Sequence, residues 1–232
     1  MKDWADAISA IARAAGEEIL SVYQRDFEVT EKADASPLTQ ADLAAHRCIV
    51  SRLPELGGDL PVLSEESADM AWSQRRAWSR YWLVDPLDGT REFIKKNGEF
   101  TVNIALIDNG EPVLGVVYAP VMDWLLVGGR GLGAHWQRTG SSGAAVVARA
   151  GNPLRVAASR SHRDEKTQQY LDRIGSVETY GLGSSLKFCK IATGEIDLYP
   201  RFGPTSEWDT AAAQAVLEAA GIHDVLSKSL GS

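Results

Sequence analysis

A short apolar run, Tyr81-Trp82-Leu83-Val84, ends abruptly on Asp85-Pro86-Leu87-Asp88-Gly89-Thr90. This junction constrains the fold more than any other stretch. The run reads as a buried strand, and the two carboxylates stand three positions apart on the turn that ends it. Carboxylates placed so can converge on a hard cation such as magnesium, which takes several oxygen ligands. Leu87, between them, offers its backbone carbonyl, another hard oxygen. A helix starting at Gly89–Thr90 would aim free N–H groups at the same spot and suit a phosphate. The same residues also read as a plain turn with Asp88 as a helix cap, and the motif alone leaves both readings open.

Three further acids stand at comparable places. Glu65 follows the short strand Pro61-Val62-Leu63, and strand ends are where α/β proteins gather ligand groups. Asp209 precedes Thr210-Ala-Ala-Ala, the opening of a strong helix, where one carboxylate could cap the helix and bind a metal at once. Asp34 lies in a polar segment, Lys32 to Asp42, leading into a helix that Thr39 could cap. Taken singly, these acids also read as a solvated loop acid, an N-cap and a loop residue. Taken together, acids at three strand or helix ends have no structural purpose, because crowded carboxylates repel without a cation.

The rest of the chain divides into two styles. Residues 4–23 place Trp4, Ile8, Ile11, Ala15, Ile19 and Val22 at steps of three and four, which predicts an amphipathic helix. Strand-like runs at Phe100–Ile107, Pro112–Tyr118 and Trp124–Val127 follow the acid turn, with Asn109-Gly110 as a hairpin signal. Gly128–Gly143 reads as glycine-rich loops around a strand end. Beyond residue 150 strands and helices alternate: Leu154–Ala158, Asp164–Ile174, Val177–Thr179, Ser184–Ala192, Ile196–Tyr199 and Trp208–Ala220. That alternation predicts a mostly parallel sheet covered by helices. The expectation is an α+β part at 1–143 and an α/β part at 144–232, with a soft boundary in Gly140–Gly151 and the site between them.

A formal net charge of −7 over 232 residues argues against a nucleic-acid polymer as partner but not against a small phosphorylated ligand held by metals. Cys48 and Cys189 read as buried free thiols. No segment reads as a leader or a bilayer span, so a soluble cytoplasmic protein is expected.

The spaced acids also carry a resemblance. Trp82-Leu-Val-Asp85-Pro-Leu-Asp88-Gly-Thr90, Trp208-Asp209-Thr-Ala-Ala and Leu63-Ser-Glu65-Glu66 resemble the signatures of the lithium-sensitive, magnesium-dependent inositol monophosphatase superfamily. Lys32-Ala-Asp-Ala-Ser-Pro-Leu-Thr, Lys95 to Ile107, Gly183-Ser-Ser-Leu-Lys-Phe-Cys and Leu198-Tyr-Pro-Arg-Phe-Gly-Pro-Thr are similar to its bacterial 3'(2'),5'-bisphosphate nucleotidase family. The resemblance runs from about residue 4 to about 221. It implies a layered αβαβα sandwich, an α/β (α+β) fold. It also implies hydrolysis of adenosine 3',5'-bisphosphate to AMP and phosphate, linked to sulfate assimilation. An inositol monophosphatase-like enzyme and a non-catalytic nucleotide or metal sensor are the rival readings.

By the same resemblance, Glu65, Asp85 and the Leu87 carbonyl hold a first Mg2+, and Asp85, Asp88 and Asp209 a second. A third, weaker ion touches Glu65. Mn2+ is expected to substitute, and Li+ and Ca2+ to inhibit. Thr90 and Asp34 are expected to orient and deprotonate the attacking water, and Gly89 and Thr90 to hold the phosphate. Ser184, Lys187, Arg201, Ser161 and His162 are candidates for the second phosphate. A homodimer and peripheral attachment to the cytoplasmic face of the inner membrane are compatible with the resemblance. One departure stands out: Ile222–Ser232 does not look like the glycine-containing tail that relatives carry there, and reads as an atypical or truncated end.

Overall fold

In the computed structural model, which describes residues 1–31, 37–68, 70–145, 151–159 and 165–222, the chain opens with helix α1 (Lys2–Tyr23). Its stripe of Ile8, Ile11, Ala12, Ala15 and Ile19 is buried, the face that the spacing predicts. Strands β1 (Val29–Glu31) and β2 (Pro37–Thr39) form a small antiparallel pair. Thr39 then caps helix α2 (Gln40–Arg52) in a reciprocal arrangement: its hydroxyl accepts from the Ala41 N–H, and the Asp42 carboxylate accepts from the Thr39 N–H.

Seven strands make the main sheet: β3 (Val62–Ser64), β4 (Arg80–Asp88), β5 (Thr101–Asp108), β6 (Glu111–Ala119), β7 (Trp124–Gly129), β8 (Gly133–Arg138) and β9 (Ser141–Ala144). They lie in chain order, antiparallel throughout except for the parallel pair β3–β4. Two short helices, α3 (Trp72–Arg75) and α4 (Thr90–Ile94), flank β4 in sequence. Asn109 and Gly110 both take positive φ, 52° and 82°, in the two-residue turn that joins β5 to β6, as the dipeptide predicts. Gly128–Gly143, expected as loops around a strand end, contains the end of β7 but also all of β8 and most of β9. Gly131 and Gly140 sit in the tight turns between these strands and the other glycines lie within them, so richness in glycine here marks corners and close packing and not a lack of structure.

After residue 150 come β10 (Leu154–Ser159), α5 (Glu165–Ile174), β11 (Val177–Leu182), α6 (Leu186–Ala192) and α7 (Ala211–Ala219). β10 and β11 pair in parallel. Ile196–Tyr199, expected as a strand, makes only a bridge from Leu198 to Val156. Besides backbone bonds from the Asp197 N–H to the Arg155 carbonyl and from the Ala157 N–H to the Leu198 carbonyl, both at 2.8 Å, a side chain holds the segment: the Asp197 carboxylate accepts from the backbone N–H groups of Gly151 and Arg155 and from the Arg155 guanidinium. The expected helix 208–220 begins at Ala211, because residues 207–209 form a tighter turn capped by Ser206.

The result is a mixed sheet with helices on both faces. On one face α1 and α2 cover Trp82, Val84, Val102, Ile104, Leu106 and Leu114. On the other, residues of α6 and α7, among them Leu186, Phe188, Ala212 and Val216, pack on Leu63, Leu83, Ala105 and Val117. This second core mixes residues from either side of position 143. Helix α7 lies so close to β6 that a Cβ on Gly115 would stand 2.1 Å from the Ala212 carbonyl oxygen, a gap that only glycine tolerates. Of the tail expected to be atypical, residues 223–232 lie outside the described residues.

Candidate active site

Side chains alternate across a strand, so Asp85 continues the parity of Tyr81 and Leu83 and faces the α6–α7 side. The β4–β5 ladder breaks register between Asp85 and Asp88, which lets the turn carry both acids. Strand β3 runs parallel to β4 with Ser64 opposite Val84, which brings Glu65 beside Asp85. Asp209 arrives from the turn before α7, where its Oδ2 accepts from the Ser206 N–H at 3.1 Å and the Thr205 hydroxyl at 3.0 Å. One oxygen each of Asp85, Asp88 and Asp209 lies within 4.8 Å of the others.

The electrostatics match the crowding. Burial, then the charges of Glu65, Asp88 and Asp209, hold the Asp85 carboxyl well above the usual carboxylate range. Burial and Asp209 push Asp88 up to about 6, against the opposing pull of Lys187, Ser185 and Asn103. Burial also raises Asp209, with Glu65 adding to it. Carboxylates so placed resist ionisation until a cation joins them. The donors are all hard oxygens, with no histidine or thiol in the cluster, which fits magnesium, manganese or calcium and not a zinc site. The expected acids Glu65, Asp85, Asp88 and Asp209 thus come together. The Leu87 N–H donates to Asp85 Oδ1 at 3.1 Å, so its carbonyl belongs to the same turn.

A pairing was expected between Thr90 and Asp34. Asp34 lies outside the described residues, and the acid on Thr90 is Asp42. The Thr90 hydroxyl donates to Asp42 Oδ1 at 3.1 Å. Asp42 Oδ2 is already occupied by the N–H and hydroxyl of Thr39, at 2.8 Å and 2.6 Å. Burial raises the Asp42 carboxyl, and these hydrogen bonds oppose the rise. The sequence carried a signal for this acid, the spacing of Thr39 and Asp42 that makes a capping box, but that signal points to a cap. His46, one turn further along α2, bonds through Nδ1 to the buried Ser64 hydroxyl at 2.9 Å and ties the helix to the strand that leads into Glu65.

The start of α6 closes one side. Gly89 is in the left-handed region at φ 93°, and a Cβ there would stand 3.2 Å from Ser184 Cβ. Lys187 is buried, donates from Nζ to the Ser184 carbonyl at 2.6 Å and lies 5.0 Å from the Tyr199 ring centre. Burial lowers its pKa, while Asp88 and Glu92 pull it back up. Arg201 donates to the Pro204 carbonyl at 2.6 Å and bonds to Tyr199, whose hydroxyl burial pushes up to about 12. Gly89, Ser184, Lys187 and the acids therefore share one neighbourhood. Ser161 and His162 lie outside the described residues. Two residues that sequence reasoning passed over also reach the acids: Asn103 and Ser185, whose Nδ2 and Oγ lie 3.4 Å and 2.7 Å from Asp88 Oδ2.

Comparison with known proteins agrees with this geometry. A profile described as the inositol monophosphatase family matches residues 1–226. The 3'(2'),5'-bisphosphate nucleotidase CysQ of Escherichia coli K12 is 51% identical over 220 residues, 94% of this chain and 88% of that protein. The protein of the same name from Salmonella typhimurium is 50% identical over 97% of this chain and 92% of its own length. The crystal structure of CysQ from Bacteroides thetaiotaomicron superposes with a TM-score of 0.84 at 44% identity, covering 95% of this chain and 88% of that one.

Proposed function

The chain belongs to the inositol monophosphatase family, and on that premise we propose that it is a magnesium-dependent 3'(2'),5'-bisphosphate nucleotidase that hydrolyses adenosine 3',5'-bisphosphate to AMP and phosphate. The observation that carries this reading is the meeting of Asp85, Asp88 and Asp209 from two distant stretches, with Glu65 against them. The relatives named above as bisphosphate nucleotidases set the substrate class, which the buried cation Lys187 suits. The reaction is also the one that links the family to sulfate assimilation.

Glu65, Asp85 and the Leu87 carbonyl would hold one cation, and Asp85, Asp88 and Asp209 a second. Bound divalent cations neutralise phosphoryl oxygens and lower the pKa of a coordinated water. Thr90 and Asp42 do the positioning work on the protein side. With Asp42 Oδ2 taken by Thr39, Oδ1 receives the Thr90 proton, which leaves the Thr90 oxygen lone pairs directed outward as an acceptor. A water donating to that oxygen is oriented, and its proton passes to Thr90 as the Thr90 proton passes to Asp42. The raised Asp42 carboxyl suits that acceptance. Asp42 thus takes the role that sequence reasoning gave to Asp34. Backbone N–H groups at Gly89 and Thr90 hold the transferred phosphate. Lys187, Ser184 and Arg201 receive the phosphate that stays on the product.

Asp42 and Thr90 contribute the usual share of an oriented base, ~10²–10⁴-fold. Phosphate monoester hydrolysis needs far more, up to ~10²¹-fold, so charge neutralisation and positioning supply much of the rest. Among the described residues no helix is long and apolar enough to cross a membrane. Two free cysteines suit a reducing compartment, and we place the enzyme in the cytoplasm.

The test is phosphate release from adenosine 3',5'-bisphosphate and from inositol 1-phosphate, with magnesium, with EDTA and with added lithium. Fast release from the nucleotide alone, abolished by EDTA and inhibited by lithium, is expected. Preference for the inositol ester would replace the substrate, and no metal-dependent release from either would overturn the enzyme.

A further inference from the structure

The metal-binding acids need not only to meet but to point, and Asp88 is the one whose orientation the fold controls from behind. Its Oδ2 receives the Ser185 hydroxyl at 2.7 Å. Ser185 Oγ in turn accepts from Asn103 Nδ2 at 2.9 Å, and the same Nδ2 lies 3.4 Å from Asp88 Oδ2. Ser185 Oγ is also 3.0 Å from the backbone carbonyl oxygen of Asp209. A hydroxyl has one proton, and of its two acceptors the carboxylate is both nearer and the stronger, being charged. The two partners are buried: Asn103 and Ser185 are each 1% exposed.

The setting of the Asn103 amide follows from the same accounting. Its Oδ1 is buried and has no hydrogen-bond partner among the described residues. The reverse setting would strand an NH2 group with two donors in that place, and would turn an acceptor toward Ser185. Ser185 would then give its proton to Asn103, and Asp88 would lose its donor. The observed setting accepts one orphaned carbonyl oxygen and keeps the chain of donation running from Asn103 through Ser185 to Asp88.

We propose that Asn103 and Ser185 are positioning residues for the metal centre: together they saturate Asp88 Oδ2 and leave Oδ1 to face the cation. The inference rests on the functional reading above and deepens it. Partners of this kind, one bond removed from a ligand, typically change metal affinity or activity by ~10–100-fold when lost. Asn103 stands opposite Asp85 on the neighbouring strand, and Ser185 sits at the head of α6, so the relay also links the sheet to the helix layer over it.

The experiment is Mn2+ titration of EDTA-stripped protein, followed by electron paramagnetic resonance without substrate, on wild type, Ser185→Ala, Ser185→Thr, Asn103→Leu and the Ser185→Ala/Asn103→Leu double variant. Ser185→Ala and Asn103→Leu should each weaken Mn2+ binding ~10–100-fold. The loss in the double variant should fall short of the sum of the two single losses, because Asn103 acts mainly through Ser185, its own contact with Asp88 being the longer at 3.4 Å. Ser185→Thr, which keeps the hydroxyl, should recover most of the loss. At saturating metal the KM for the nucleotide should not move. Wild-type affinity in Ser185→Ala, or losses that add in the double variant, would overturn the relay while the functional reading stands. Failure of the wild type to bind Mn2+ would sink both. If Asn103→Leu does not fold, the Ser185 pair alone decides, since it differs by one oxygen and one methyl group.

Discussion

The two faces of strands β4 and β5 follow the same backbone and come to opposite ends. On the α1–α2 face, Trp82, Val84, Val102, Ile104 and Leu106 are apolar along the whole strand length. On the α6–α7 face, Leu83 gives way to Asp85, and Ala105 to Asn103 and then Thr101. One parity builds a dry core while the other turns polar where the acids gather, over a distance of two residues. The lesson is that the chemistry is written on one parity of the strands. The other parity keeps the strand ends fixed while the acids repel one another.

The strongest way to break this comparison is to change an acid and a core residue in turn. Asp88→Asn should lower turnover at saturating magnesium by more than ~10²-fold, beyond the range typical of residues behind a ligand. It should leave the melting temperature of the metal-free protein unchanged or higher, because one of the crowded carboxylates is gone. A fall in that melting temperature would show that the acid was serving the core. Next comes Phe100→Ala on the opposite side, where the ring is fully buried against Tyr23 and Phe93. It should cost about 3–5 kcal/mol in denaturant unfolding. Mn2+ affinity of the folded protein should stay within a few-fold of wild type, and a larger loss would mean that the faces are not separable. Smallest is Gly115→Ala on β6. The methyl group has to push α7 outward, at about 1–3 kcal/mol. Because Asp209 leads directly into α7, Mn2+ affinity should fall with stability in this variant alone of the two stability variants.

Much of this was legible in the sequence, for identifiable reasons. The helix 4–23, the hairpin at Asn109-Gly110 and the Thr39 cap each depend on neighbours in the chain, and each is present. Asp85 and Asp88 were legible because they sit together after an apolar run. Asp42 was not, because its spacing to Thr39 is satisfied by capping alone; only the fold shows that its second oxygen is left over for Thr90. Asn103 and Ser185 read as ordinary strand and helix-start residues, and their meeting over 82 positions of chain has no local signature. Strands β8 and β9 were hidden by their glycines, and the single bridge at Leu198 read as a full strand because Asp197, whose carboxylate also holds the segment, looks from sequence like any surface acid.

The raised carboxyls have a consequence for calorimetry. Between the ordinary carboxylate range and about pH 6 the cation-free folded protein keeps a proton on Asp88 that the unfolded chain has released, and Asp85 and Asp209 are raised in the same direction, so its stability declines as pH climbs through that window. A divalent ion reverses the preference, since it needs the same oxygens bare. Loading the centre near pH 6 therefore ejects hydrogen ions into solution. The heat recorded on titration includes whatever the buffer absorbs in taking them up, and it differs between a phosphate and an amine buffer at one pH. The slope of that heat against buffer ionisation enthalpy counts the protons displaced per ion, a stoichiometry set by how tightly the fold packs its acids.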